Sequence, residues 1–203
     1  SAEELVVFAP VVQRTSSHLP QLLTSASIFF NDLLTLEERL RLWKSALRIS
    51  SSTSLGIGRL IRSQIADEDV PVEIFPADPI QLHKLVREVF TKKSFPRTHQ
   101  LLSRRALDAI AAPSNFTPSI AALIAADLSS GLEDSRQEAM FLAQYLQYKP
   151  EDTVSWVRLL RLQIQNSQWK NAEASLRKLR QVDPAHPAIP EFSNAIRSQA
   201  SNH

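Results

Sequence analysis

Apolar residues recur at the 3.6-residue period of the α-helix along nearly the whole chain, and almost nowhere at the two-residue period of a strand. Residues 78–91 carry the cleanest case. Leu82, Leu85, Val86, Val89 and Phe90 fall at i, i+3, i+4, i+7 and i+8, which is one continuous stripe. The start of that helix is marked as well: Asp78 suits the cap, Pro79 the first helical position, and Gln81 the acceptor of a capping box. Thr35-Leu36-Glu37-Glu38 is a second capping box, and Leu36, Leu40, Trp43 and Leu47 form its stripe. Residues 117–129 place Ile120, Leu123, Ile124 and Leu128 on one face, with Thr117 as cap and Pro118 just inside. Trp156, Leu159, Leu160 and Ile164 share a face over 153–167, and Ala172, Leu176 and Leu179 share one over 170–182. Residues 134–148 carry two stripes, Ala139-Leu142-Leu146 and Phe141-Tyr145-Tyr148, which predicts a helix covered on two sides.

Little in the chain can build anything else. Only 3 of the 203 residues are glycine, so material for hairpins and phosphate loops is almost absent, and the 12 prolines must punctuate the helices. Val70 to Phe75 alternates like a strand, but Pro71 argues for an extended connector. Residues 51–58 read as a polar loop leading into a short helix to about residue 66. Asp67-Glu68-Asp69 would then close that helix, where the macrodipole disfavours negative charge.

Catalytic and metal chemistry finds no support. Cysteine is absent, which excludes disulfides, thiol catalysis and cysteine-ligated zinc. None of the five histidines (His18, His83, His99, His186 and His203) stands at metal-ligand spacing from a second ligand. No phosphate-loop, nucleophile-elbow, zincin or EF-hand pattern occurs. Gly56-Ile57-Gly58 lacks the third glycine and the preceding strand of a dinucleotide motif, and reads as a loop-to-helix junction. The acidic pairs Glu37-Glu38, Glu133-Asp134 and Glu151-Asp152 sit at helix starts, where they complement the dipole. The expectation is a chain that is no enzyme and needs no cofactor or metal.

No apolar run reaches the roughly 18 residues of a membrane span; Leu5 to Val12 is short and broken by Pro10. The chain begins Ser1-Ala2-Glu3-Glu4, without Met or a basic leader, so a processed protein or a piece of a longer one is expected. Such a chain would be soluble, either cytoplasmic or an extramembrane portion of something larger.

Pro150 and Pro184 each close a predicted helix, and the interval between them defines a candidate internal repeat. In the block ending at Pro184, Trp156, Leu159, Trp169, Ala172, Leu176 and Pro184 stand where tetratricopeptide repeats carry Trp, Leu, an aromatic, Ala, a large apolar residue and Pro. Residues 153–184 resemble that family, and the interval from Pro150 to Pro184 equals the length of its repeat. Residues 119–150 resemble a degenerate copy: Leu142, Leu146, Tyr148 and Pro150 are kept, the Trp is missing, and Ala139 falls one place late. Residues 79–112 fit the helix-turn-helix outline with Leu82, Leu85, Leu101 and Ala106, and residues 36–50 resemble a second helix alone, ending in Ala46-Leu47. Leu160 departs from the family, which carries Gly or Ala there, so the spacing of that helix pair should differ.

The resemblance implies an all-α fold, a right-handed superhelical stack of helix-turn-helix pairs that forms an α-solenoid with an irregular N-terminal half. Small residues such as Ala172 let helices approach, Trp156 and Leu176 fill the gaps, and proline stops the second helix. Residues 1–76 are expected to form a degenerate, repeat-like helical region, and residues 77–203 the repeats. A terminal helix over 188–199 would cap them, with Ile189, Phe192 and Ile196 inward and Glu191, Asn194, Arg197 and Ser198 in water.

The same resemblance implies a non-catalytic protein–protein interaction scaffold. Tetratricopeptide arrays bind peptides on the concave face lined by first helices, and the register assigns Val157, Arg161 and Gln165 to that face, with Leu123 and Asp127 in the block before. Val157 stands where the carboxylate clamp of chaperone-binding members has a polar residue, so a C-terminal acidic tail is not the expected ligand. Charge runs in blocks: +6 over 84–105, −5 over 108–152 and +5 over 158–180. A basic ridge at Arg87, Lys92, Lys93 and Arg97 would suit an acidic or phosphorylated protein. Charge reversal there is expected to weaken partner capture at low salt.

Two other classes stay open. Arg41-Leu42-Trp43-Lys44-Ser45-Ala46-Leu47 followed by Leu55-Gly56-Ile57-Gly58 resembles a stretch of bacterial O-antigen ligases and polymerases, some of which carry such repeats; this implies the soluble tail of a larger membrane protein. An RNA-binding helical repeat is the other, and the net charge of only +2 disfavours nucleic acid.

Overall fold

The structure is a computed structural model, and it describes residues 33–112 and 116–200 together with Pro20, Thr24, Ser25, Ser27 and Ile28. His18, His203 and the apolar stretch Leu5 to Val12 lie outside the described residues. Among the described residues every regular element is helical. The chain divides into two compact units, Ser1–Ala109 and Ile110–His203; the expected boundary near residue 76 falls inside the first.

The first unit contains α1 (Leu36–Ile49), α2 (Ser54–Gln64), α3 (Pro79–Glu88) and most of α4 (Pro96–Ala111), with 3-10 turns at Ser51–Thr53, Asp67–Asp69 and Val72–Ile74. The capping box at α1 is formed: the Glu38 carboxylate accepts the Thr35 N–H at 2.8 Å, and Glu38 N–H reaches the Thr35 hydroxyl at 3.3 Å. The Thr35 N–H and hydroxyl hold the Glu38 carboxyl below its usual range. Asp78 caps α3 by accepting from the N–H groups of Ile80 and Gln81, with Pro79 in the first turn. The stripe expected over 78–91 is the buried one: Leu82, Leu85, Val86, Val89 and Phe90 are all inside. Phe90 meets Phe75 and Phe95 edge-on, at centroid separations of 5.9 and 5.5 Å. Trp43 is fully buried, and its indole N–H donates to the Ser27 hydroxyl at 2.8 Å.

Asp67-Glu68-Asp69 does not close α2, as the sequence led one to expect. That helix ends at Gln64, Ile65 is extended, and the three acids form their own turn. Asp67 instead caps α4, accepting the N–H of Arg97 at 2.8 Å and of Thr98 at 2.9 Å. A carboxylate at a helix N-terminus satisfies orphan donors and complements the dipole, which resolves the apparent charge conflict. The alternating segment after Val70 is a connector containing a turn, and Arg105 Nη1 holds its Val72 carbonyl at 2.6 Å.

The second unit holds α5 (Pro118–Gly131), α6 (Ser135–Tyr148), α7 (Thr153–Gln165), α8 (Trp169–Val182) and α9 (Ile189–Ala200). Each packs on the next, and α7 also touches α9. Ala126, Ala139, Leu142, Leu146, Leu159 and Leu162 form one buried cluster across α5, α6 and α7. Leu160, Ala172, Leu176, Leu179 and Phe192 form the next across α7, α8 and α9. Trp156 packs on both. Leu160, the departure from the repeat pattern, is fully buried in the second cluster. Thr117 makes no side-chain cap for α5, contrary to expectation. Of the second stripe on α6, Phe141 and Tyr145 pack against the core, whereas Tyr148 is exposed; Ile120 on α5 is exposed too.

The turns inside the two hairpins repeat. At the end of α5, the N–H groups of Leu132, Glu133 and Asp134 bond to the carbonyls of Leu128, Ser130 and Ser129. At the end of α7, those of Asn166, Ser167 and Gln168 bond to Leu162, Ile164 and Gln163. Every donor and acceptor in the second set follows its counterpart by the same interval that separates Pro150 from Pro184. Both are Schellman closures, in which one residue must turn left-handed. Glu133 does so at φ 61° and Ser167 at φ 56°.

Candidate functional site

The α7 helix is fixed firmly at its start. The Asp152 carboxylate accepts the Ser155 N–H at 3.1 Å and the Ser155 hydroxyl at 2.8 Å, and the Tyr145 hydroxyl adds a third bond. Burial works against the charged form of Asp152, but these donors outweigh it and hold the carboxyl below its usual range. Tyr145 moves the other way, raised by burial and by donating to that carboxylate. The Trp156 indole N–H donates to the Pro150 carbonyl at 2.9 Å, which ties the approach to α7 onto its first turn.

With α7 so placed, Val154, Val157, Arg161 and Gln165 fall along one side of it, at i, i+3, i+7 and i+11. They line a groove of about 540 Å3, closed by Ser130 of α5, Glu138 of α6 and His186 after α8. Val154 is 76% exposed and so presents an apolar surface to a ligand in the groove.

Two of the groove's lining residues, Glu138 and Arg158, belong to an ion-pair network. Arg158 Nε donates to Glu138 Oε1 at 2.6 Å, and its Nη1 donates to Asp127 Oδ1 at 2.7 Å. One side chain of α7 thus joins α5 and α6. Burial disfavours the guanidinium charge, but the bonds to Asp127 and Glu138 more than compensate and raise its pKa. Arg161, one turn from Val157, is exposed and makes no ion pair among the described residues. His186 Nδ1 accepts the Ala188 N–H at 3.2 Å, so in the neutral ring the proton sits on Nε2.

The structure therefore brings together three of the residues read from sequence: Val157, Arg161 and Gln165. Asp127 and Leu123 do not line the groove: Asp127 is engaged by Arg158, and Leu123 is half-buried on α5. Arg87, Lys92, Lys93 and Arg97 are exposed residues of the first unit. Arg97 is committed there, since its guanidinium donates to the Asp67 carbonyl at 3.2 Å.

Sequence reasoning missed Arg158, Glu138 and His186. One signal was readable for the pair. Glu138 precedes Ala172 by the same interval that separates Pro150 from Pro184, so an acid occupies the place where the better repeat has its small contact residue. A charge at such a buried position needs a partner.

The first unit has its own cavity of about 600 Å3, beside Lys44, Arg48, Glu73 and Phe75, and Arg105 on its wall is held by the Val72 carbonyl. Among the described residues no three His, Asp or Glu side chains are grouped to hold a metal ion, and no helix is long and apolar enough to cross a membrane. Comparison with protein-family models and with curated proteins gives no match. Among the described residues the fold is all-α, and the candidate site is a groove along α7.

Proposed function

We propose that the chain is a non-catalytic protein-binding scaffold, and that its second unit is a tetratricopeptide-type stack of helix hairpins seating an extended peptide along α7. The observation that carries this reading is the groove that gathers Val157, Arg161 and Gln165. The recurrence of the hairpin turns at the proline interval supports the solenoid part of it. The mechanism is rigid display: caps and Arg158 hold α7 in place before a partner arrives, which lowers the entropy cost of binding.

The test is selection from a displayed library of random dodecapeptides against the wild-type chain, with the uncharged Val157→Gln as counter-selection. Peptides retained by the wild type and rejected by a folded Val157→Gln variant support the reading. A library that yields none, or peptides held equally by both, removes it.

A further inference from the structure

We infer that the α7 groove reads an acidic side chain two residues from an aliphatic one within a peptide, and that Arg161 recognises the acid; this rests on the peptide-binding reading above. The charges around the groove are not equivalent. Glu138 has a side chain only 7% exposed, with Arg158 Nε bonded to it. Asp127 also has an oxygen taken by Arg158. Arg158 already neutralises both carboxylates, so they attract a cationic ligand less than an unpaired acid would. Arg161, by contrast, is exposed and makes no ion pair among the described residues. Gln165 and His186 line the same groove, and the His186 Nε2–H is a further donor. The groove thus offers hydrogen-bond donors to a ligand and keeps its acids occupied.

Spacing adds the second half. Along α7 the aliphatic pair Val154 and Val157 precedes Arg161. From Val157 to Arg161 the helix rises about 6 Å, at about 1.5 Å per residue. In an extended peptide, side chains two positions apart point the same way and stand roughly 6.6 Å apart. An aliphatic residue over Val157 therefore sets a residue two places on beside Arg161. The spacing is between side chains, so an Asp or Glu side chain within the peptide meets it without a chain terminus.

The same dodecapeptide library tests this. Peptides that depend on Val157 should be enriched in Leu, Ile or Val two positions from Asp or Glu. One selected peptide is then made with an amidated C-terminus, and its binding is followed by fluorescence anisotropy. Arg161→Glu should weaken it by about tenfold or more, and replacing the peptide's acid by Lys should restore binding to that variant. Arg161→Lys should stay within about threefold of the wild type. Groove-dependent peptides without that acid, or an Arg161→Glu variant that binds unchanged, overturn the inference and leave the peptide-binding reading standing. No groove-dependent peptide at all removes both.

Discussion

Glu133 and Ser167, which occupy equivalent places in successive hairpins, are the two non-glycine residues with positive φ among the described residues, and each closes the turn inside its hairpin. The left-handed conformation crowds Cβ against the backbone and costs an L-residue about 1 to 2 kcal/mol. Glycine would lose that strain at the expense of greater freedom in the unfolded chain. Ser167→Gly is therefore expected to stabilise the chain by about 0.5 to 1 kcal/mol, and Ser167→Val to destabilise it by more than that. Urea unfolding followed by circular dichroism measures both. A loss of stability in the glycine variant would mean that this turn is not held left-handed.

Arg158 serves both Glu138 and Asp127, so its removal leaves a carboxylate that is almost fully buried without its counter-charge. Arg158→Ala should cost about 2 to 3 kcal/mol, less than a fully buried pair because Arg158 is itself about a third exposed. Arg158→Met combined with Glu138→Leu replaces the pair by apolar volume and should recover most of that loss. If the double variant were as unstable as Arg158→Ala, the cost would not lie in the stranded charge of Glu138.

What could be read in advance followed from distance along the chain. The helices, the Thr35 capping box and the Asp78 cap depend on residues within a turn of one another, so local pattern sufficed. That Val157, Arg161 and Gln165 share one side of α7 was legible because helical register alone puts them there. Asp67 caps a helix 30 residues away, and Arg158 pairs with acids 20 and 31 residues away. No local period announces such contacts. The hairpin turns were silent for another reason: Glu133 and Ser167 occupy positions where glycine would have been the signal. Thr117 shows the reverse failure, a residue with the right chemistry for a cap that makes no capping bond.

Gly58 and Leu85 set the approach of α2 to α3. A Cβ at Gly58 would lie 2.7 Å from Leu85 Cδ2, with Val89 and Phe90 each at 3.4 Å. Leu85 is fully buried, so its methyl has little room to retreat. Overpacking costs about 1 to 3 kcal/mol, against about 1 kcal/mol gained from helix propensity. Gly58→Ala is expected to lose about 1 kcal/mol net. In a Leu85→Ala background the clash is gone, and the same substitution should become neutral or stabilising. A double-mutant cycle by urea unfolding gives the coupling, and additivity of the two changes would show that they do not meet.

Asp67 gives the first unit a dependence on acid whose sign can be worked out. Burial alone would raise its pKa, but hydrogen bonds from Thr98 and Arg97 hold the carboxyl below its usual value. The unfolded chain then binds the proton more readily than the folded one. The stabilisation is complete above the unfolded pKa of about 3.9, and it fades as pH falls through the lower folded value. Asp67→Asn removes the charge from the start of α4 and should cost about 0.3 to 1 kcal/mol at pH 7. Its deficit against the wild type should shrink toward pH 2, where the wild-type carboxyl is itself protonated. Urea midpoints of the two proteins between pH 2 and 7 provide the comparison. A gap that stays constant across that range would place the contribution of Asp67 in something other than its charge at the helix end.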